Sequence, residues 1–553
     1  MRQECSNGSD PDQKYRRETD ALGPMAIPAE VYYGIHTARA MENFPVSGRP
    51  AHPRLIEAIA VVKKAAARVN GKLGLIPAEV AGAIERACDE IARGALADQF
   101  VVDALQGGAG TSTHMNVNEV VANLAIERLG GSKGDYRLVH PLDHVNRCQS
   151  TNDVYPTALR IAAIRLLRPL SEAYASLQEA LQEKEQEFAD VLKLGRTQLM
   201  DALPMMAGQG FGAYAKAVAR DRWRLYKAEE RLREIHLGGT AIGTGLDAPK
   251  AYVFQVTDTL QELTGLGLAR SEFPMDGTQN MDVFVEVSGL LKAAAVTLVK
   301  IAGDLRLLAS GPAGGIGEYA LPAVQAGSSI MPGKVNPVMA EMAGQTAMRV
   351  IANDAAITWA AAGGQLELNA FGPLIADSLL ESLEILGRRP AVRAALHSRH
   401  RRQRDGLPRA SAALHRAGHR AGPASRLRGG RRDCRDRPAR RADGGARRRG
   451  RRLADRRTRR RHPESAANHE AGHPRRIKGG ARDEPERDAA RGADAYCRLR
   501  PHERGEIERG QRFDRARDRR GLAGTGNDHR SGVQSNGAAA AGAGGDDRHR
   551  RSG

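Results

Sequence analysis

The sequence predicts an all-α protein: a bundle of long helices, a smaller and mostly helical N-terminal domain, and an Arg-rich tail. Three observations predict it. Apolar residues recur at helical spacing over segments well beyond the mean globular helix of about 11–12 residues. Alternating strand patterns are scarce. The composition also changes abruptly near residue 397, from Ala, Leu, Val and Ile with mixed charges to Arg, Ala, Gly, Asp and Pro. The expected domains are residues 1–149, 150–395 (the long-helix bundle) and 396–553 (the tail).

In chain order, residues 1 to about 24 read as a polar, flexible lead-in, followed by an entry segment through "YYGIHTARAMENF". From Pro53 to Ala97 the apolar spacing predicts helices broken by "GKLGLIPAEV". A glycine-rich loop, "QGGAG", then opens a helix in which Val117, Val120, Val121, Leu124 and Ala125 share a face. Long helices are predicted at Val154–Leu192, Pro204–Ile235, Met281–Leu308 and Pro337–Ala362. Their small-residue stripes, as in "LLKAAAVTLVKIAGDL", suit helices buried on several sides and predict an oligomer.

The net charge of +19 would ordinarily suggest nucleic acid or an anionic membrane. It is mainly a property of the tail. Beyond residue 400, Lys478 is the sole lysine among many arginines and large apolar residues are few. Such a segment cannot offset its chain entropy, which predicts disorder. Arg, Ala, Gly and Pro share GC-rich codons, so a GC-rich gene read out of frame explains this bias better than a nucleic-acid arm. The five cysteines show no paired spacing, which indicates neither a disulfide framework nor a zinc site. No stretch approaches the ~18 apolar residues of a membrane helix, and the N-terminus has no signal-peptide core. A cytoplasmic setting is expected.

Four polar stretches carry the chemistry, each expected at a loop-to-helix junction: "GGAGTS" (107–112), "CQSTND" (148–153), "GRTQ" (195–198) and "GSSIMPGKVN" (327–336). They supply hydroxyls and amides, and the last adds a lysine. No metal-ligand spacing and no phosphate-binding glycine fingerprint appears. Any one stretch taken alone reads as a helix N-cap. Four together, with Lys334 and Asn336 two residues apart, suit a small dianionic acid, because helix N-termini and hydroxyls favour carboxylates. His114, His140 and His144 read as structural, and Glu318 and Glu341 are secondary candidates for proton transfer.

"GSSIMPGKVNP" resembles the signature of the aspartase/fumarase superfamily, and the resemblance runs from about Arg17 to Gly387. "YYGIHTARAMENF", "CQSTND", "GRTQ" and "LPAVQAGSS" resemble its aspartate ammonia-lyase branch more than its fumarases. The resemblance implies reversible anti-elimination of ammonia from L-aspartate to give fumarate. It implies no organic cofactor and leaves divalent-cation activation open. It implies Ser328 as general base with Lys334 assisting. Thr111, Ser150, Thr151, Thr197, Gln198 and Ser329 would cradle the reacting carboxylate, Asn336 and Lys334 the other carboxylate, and Asn152 the amino group. It also implies a homotetramer whose sites draw on three subunits, with a small dicarboxylate or amino acid as the only other partner.

Departures from the pattern are Met200 for a glutamine, Leu142 for an asparagine, and "GPAGGIGEYALP" without its usual arginine and asparagine. Nothing after about residue 397 resembles the family's C-terminal domain. A fumarase-type hydratase and an impaired product of a frameshifted gene are the alternatives.

Overall fold

A computed structural model describes residues 14–311 and 313–388, with the backbone of 399–400. The expectations for residues 1–13 and for the Arg-rich tail, including its disorder and its frameshift, lie outside the described residues.

The chain enters through a hairpin, β1 (Tyr15–Asp20) paired with β2 (Gly23–Pro28). This corrects the expected lead-in. Residues 14–24 are held because Glu18 is buried, bonds Arg16 at 2.8 Å, and accepts from the Ile35 N–H at 2.8 Å. That last contact caps α1 (Ile35–Asn43), which has no side-chain cap of its own. Glu119 completes the cap by accepting from the backbone N–H groups of Gly34, His36 and Thr37.

The N-terminal part then packs α2 (Pro53–Lys72), α3 (Ala78–Ala92) and α4 (Thr111–Arg128) together. The break between α2 and α3 falls at "GKLGLIPAEV", as the Gly and Pro there predict. α4 is buried from Ser112 to Ile126 on every side, so the single apolar face expected of it is part of a fully enclosed helix.

Among the described residues, five long helices form the bundle: α5 (Thr151–Glu187), α6 (Ala207–Leu232), α9 (Asp282–Leu308), α10 (Val338–Ala362) and α11 (Gly372–Gly387). Between α6 and α9 lie α7 (Lys250–Thr264), which packs on α2, and the short α8 (Pro274–Gln279). Successive helices of the bundle alternate in direction. Arg168 meets Glu229 across α5 and α6, Arg231 meets Glu286 across α6 and α9, and Arg306 meets Glu341 across α9 and α10. α11 closes the ring beside α5, where Gly372 lies against Tyr155 and Gly387 against Leu170.

The strands outnumber the expectation. β3 (Leu192–Thr197) and β4 (Met200–Met206) form a hairpin between α5 and α6. It fills the connection expected between the two helices and overlaps their expected ends at Leu192 and from Pro204 to Met206. Its tip is a two-residue turn with Gln198 and Leu199 both at positive φ (53° and 62°), the geometry of a type I′ turn. Minor pairings join β5 (Glu234–Ile235) to β6 (Ala269–Arg270), and β7 (Tyr319–Ala320) to β8 (Arg399–His400). Among the described residues no helix is long and apolar enough to cross a membrane.

Candidate active site

The first half of the candidate site is built where α4 and α5 begin. The glycine run lets the chain turn sharply, and Gly110 sits at φ +93°. A Cβ there would stand 2.5 Å from the buried ring of Tyr155, so only glycine permits this approach of α4 to α5. Gln106 fixes the start of α4 by accepting from the Thr113 N–H and donating to its hydroxyl. Thr111 donates its own hydroxyl to the Gly108 carbonyl at 2.6 Å.

α5 opens with a capping box. Ser150 Oγ accepts from the Asn152 N–H at 3.2 Å, and Asp153 Oδ1 accepts from the Ser150 N–H at 3.0 Å. Asp153 has no solvent exposure and its second oxygen takes the N–H groups of Gly238 and Thr240, both at 3.0 Å. Burial pushes its carboxyl up to about 6 against the pull of these donors. Asn152 is tied to the same 236–246 loop: its amide donates to the Ala241 carbonyl at 2.7 Å, and its own carbonyl meets His236 Nε2 at 3.0 Å. Burial, with Arg160 nearby, lowers the His236 imidazole to about 4. Thr151 Oγ1 lies 2.7 Å from His114 Nδ1, which joins the two helix starts directly. Beneath them, fully buried Lys63 donates to Asn146 Oδ1 at 2.8 Å, and Asn70 donates to the Arg147 carbonyl.

The second half lies elsewhere. "GSSIMPGKVN" forms a loop leading into α10, as expected, and it is closed by its own atoms. The Gly327 N–H donates to the Lys334 carbonyl at 2.8 Å, and the Asn336 amide donates to the Gly327 carbonyl at 2.7 Å. A Cβ on Gly327 would lie 2.7 Å from the Asn336 nitrogen. Ser328 Oγ accepts from the N–H groups of Met331 at 2.9 Å and Ile330 at 3.2 Å. Two donors on one oxygen favour its charged form. Ser329 and Lys334 are exposed.

Thr197 and Gln198 are also exposed. "GRTQ" lies at the β3 end and hairpin tip, which corrects the expected loop-to-helix junction. Glu318 ties this hairpin to the chain preceding the loop through Arg196 (2.6 Å) and Lys193 (2.9 Å).

The two halves stand at opposite ends of the bundle. α5 has 37 residues and is about 55 Å long. Thr151 begins it, whereas the β3–β4 hairpin is anchored at its far end, where the Ala207 N–H meets the Val191 carbonyl. Six strand residues reach back only about 20 Å. α10, with 25 residues, spans about 37 Å from the Ser328 loop to the neighbourhood of Tyr155. One chain therefore brings Thr111, Ser150, Thr151 and Asn152 together. It does not bring them to Ser328, Lys334, Thr197 or Gln198.

Two of the expected structural histidines, His140 and His144, have local duties. His140 Nδ1 accepts from the N–H groups of Leu142 and Asp143, and His144 Nδ1 accepts from the His140 N–H. Glu341 pairs with Arg306 at 3.6 Å. The sequence reading assigned nothing to Asp153, His236 or Lys63. Asp153 was legible as the fourth member of a Ser-x-x-Asp capping box. His236 and Lys63 had no local signal, because their partners are 84 and 83 residues away. Among the described residues, no group of three or more His, Cys, Asp or Glu side chains is placed to hold a metal ion.

Comparison with known proteins gives a consistent result. A family profile described as Lyase matches residues 23–352. The chain is 48% identical over 374 residues to aspartate ammonia-lyase of Bacillus subtilis, covering 68% of this chain and 79% of that one. It is 50% identical over 375 residues to aspartate ammonia-lyase of Helicobacter pylori, covering 68% and 80%. Among solved structures, a cobalt-bound "fumarate lyase:delta crystallin" from Brucella melitensis superposes with a TM-score of 0.68 at 49% identity, covering 70% and 85%. The class II fumarase of Schistosoma mansoni gives 0.68 at 34% identity, with the same coverage.

Proposed function

The chain belongs to the lyase family, within the aspartase/fumarase superfamily, and from that premise we propose that it is an aspartate ammonia-lyase. It eliminates ammonia from L-aspartate to give fumarate, and the reaction is reversible. The observation that carries the mechanism is the pair of backbone N–H groups of Ile330 and Met331 aimed at Ser328 Oγ. A serine is a poor base unless its alkoxide is stabilised, and these donors supply that stabilisation more directly than Lys334, the assistant that the resemblance implies.

Ser328 removes the proton from the carbon next to the side-chain carboxylate. Charge then builds on that carboxylate, and the hydroxyls and N–H groups of Thr111, Ser150, Thr151, Thr197, Gln198 and Ser329 stabilise it as the carbon–nitrogen bond breaks. Lys334 and the second N–H of Asn336 hold the other carboxylate, and Asn152 lies toward the amine. No organic cofactor is required, and a divalent ion would act as an activator.

The complete site is shared between chains. Its halves lie at opposite ends of one bundle, so an antiparallel neighbour would bring the Ser328 loop of one copy to the α4–α5 junction of another. The exposed apolar side chains Trp223 on α6, Val296 on α9, and Met348 and Trp359 on α10 support a bundle-to-bundle assembly, which we propose to be a homotetramer. The enzyme would work in the cytoplasm.

The test is ultraviolet detection of fumarate from L-aspartate, repeated with and without added divalent ions. Hydration of fumarate to malate without ammonia release would move the assignment to the fumarase-type alternative, and inactivity of the purified chain would favour the damaged-gene reading. Co-expressing Ser328→Ala and Thr151→Val chains tests the sharing. Each variant alone should fall well below wild type and the mixture should regain activity. A mixture no more active than its parents would rule out a site built across chains.

A further inference from the structure

Thr151 serves the cradle through one hydroxyl, and a buried histidine on the neighbouring helix decides what that hydroxyl can do. His114 lies in the first turn of α4, 1% exposed, with Nδ1 2.7 Å from Thr151 Oγ1. Its other ring nitrogen, Nε2, is equally buried and has no hydrogen-bonding partner among the described residues. Burial, reinforced by the nearby Lys63 and His36, holds the imidazole far below its usual range, so the ring carries a single proton.

The two neutral tautomers have different consequences. A proton on Nε2 would bury a donor with nothing to accept it. Nδ1 would then accept the Thr151 O–H, leaving only lone pairs to face an incoming anion. A proton on Nδ1 leaves just a lone pair unmet at Nε2, the less costly of the two orphans. Nδ1 then donates to Thr151 Oγ1, and the threonine O–H is spare. Thr151 is 9% exposed, so that spare proton has a narrow path to a ligand at the α5 N-terminus.

We propose that His114, as its Nδ1–H tautomer, is a positioning residue that fixes Thr151 as a hydrogen-bond donor and so makes this corner select an acceptor-only group, a carboxylate. The inference deepens the proposed function and rests on Thr151 touching the substrate.

The tautomer can be read without activity, from ¹⁵N shifts of histidine-labelled full-length protein, with the His114 signals identified by their loss in His114→Asn. A pyrrole-type Nδ1 with a pyridine-type Nε2 is expected, and the reverse assignment overturns the proposal. In kinetics, His114→Leu should lower kcat/KM for L-aspartate about 10- to 100-fold, and His114→Asn, which keeps a side-chain N–H, should recover most of it. In the Thr151→Val background the His114→Leu change should add almost nothing. Additive losses, or no rescue by Asn, would show that His114 only fills space. If wild-type chain makes no fumarate, the function fails. Succinate binding by calorimetry then carries the same variant comparison, and equal affinity in His114→Leu and wild type would overturn the His114 assignment.

Discussion

The two ends of the bundle hold their polar groups in opposite ways. At the α4–α5 end, Asp153, His236, His114 and Lys63 are buried and bonded to segments far away in sequence, so the groups proposed to face substrate are fixed by the fold. At the Ser328 end the groups are mostly exposed, and their bonds run within one loop, from Gly327 to Asn336. A loop closed on itself can move as a unit without breaking internal bonds, whereas the buried end cannot shift without exposing unpaired polar groups. The difference suggests a division of labour: one end supplies a preorganised carboxylate cradle, and the other brings the base to it.

Removing the base is the largest expected change. Ser328→Ala should cut turnover on the order of 10²–10⁴-fold while leaving the circular dichroism spectrum and melting temperature unchanged, because its hydroxyl supports only its own loop. A large loss of stability would mean that the exposed end is as tightly integrated as the buried one. At that buried end, Asp153→Ala strands three backbone N–H groups. It should cost roughly 3–5 kcal/mol in denaturant unfolding as well as activity. Stability equal to wild type would dissolve the contrast.

His236 sharpens it through pH. Its folded pKa of about 4 lies below the usual ~6.5 of the unfolded chain, so below pH 6.5 the unfolded state binds more protons. The stability it contributes is present above pH 6.5 and is lost as pH falls toward 4, roughly 3 kcal/mol in all. His236→Gln should remove that portion of the acid sensitivity in melts between pH 7 and 4. An unchanged profile would mean that the ring is not held neutral. The smallest effect is expected at the partly buried pairs Arg196–Glu318 and Lys193–Glu318, where Glu318→Gln should cost about 1 kcal/mol. If it instead lowered activity by more than stability, the hairpin would be shown to set the position of the Ser328 loop.

The starts of α5 and α10 were legible within a residue or a few, because a capping box and a Gly-Pro loop announce them in the local sequence. The hairpin at 192–206 was not. "LKLGRTQLMDALPMM" reads as the connection between two helices, and its turn uses Gln198 and Leu199, which carry no Asn-Gly or Asp-Gly signal for positive φ. Residues 14–24 read as an idle lead-in because the partners that make Glu18 and Arg16 structural lie on the second strand and at the start of α1.

The sequence by itself determined the helix periods, the caps, and the chemical inventory of hydroxyls, amides and one lysine, since these depend on residues within a few positions of each other. Only the tertiary structure decided which of those groups share an end of the bundle, that Asp153 and His114 stand behind them, and that one chain holds the other candidates at the opposite end. The reason is physical. Helix length sets the separation of the two ends, and burial sets the protonation of the supporting groups, and both emerge from contacts between residues dozens of positions apart.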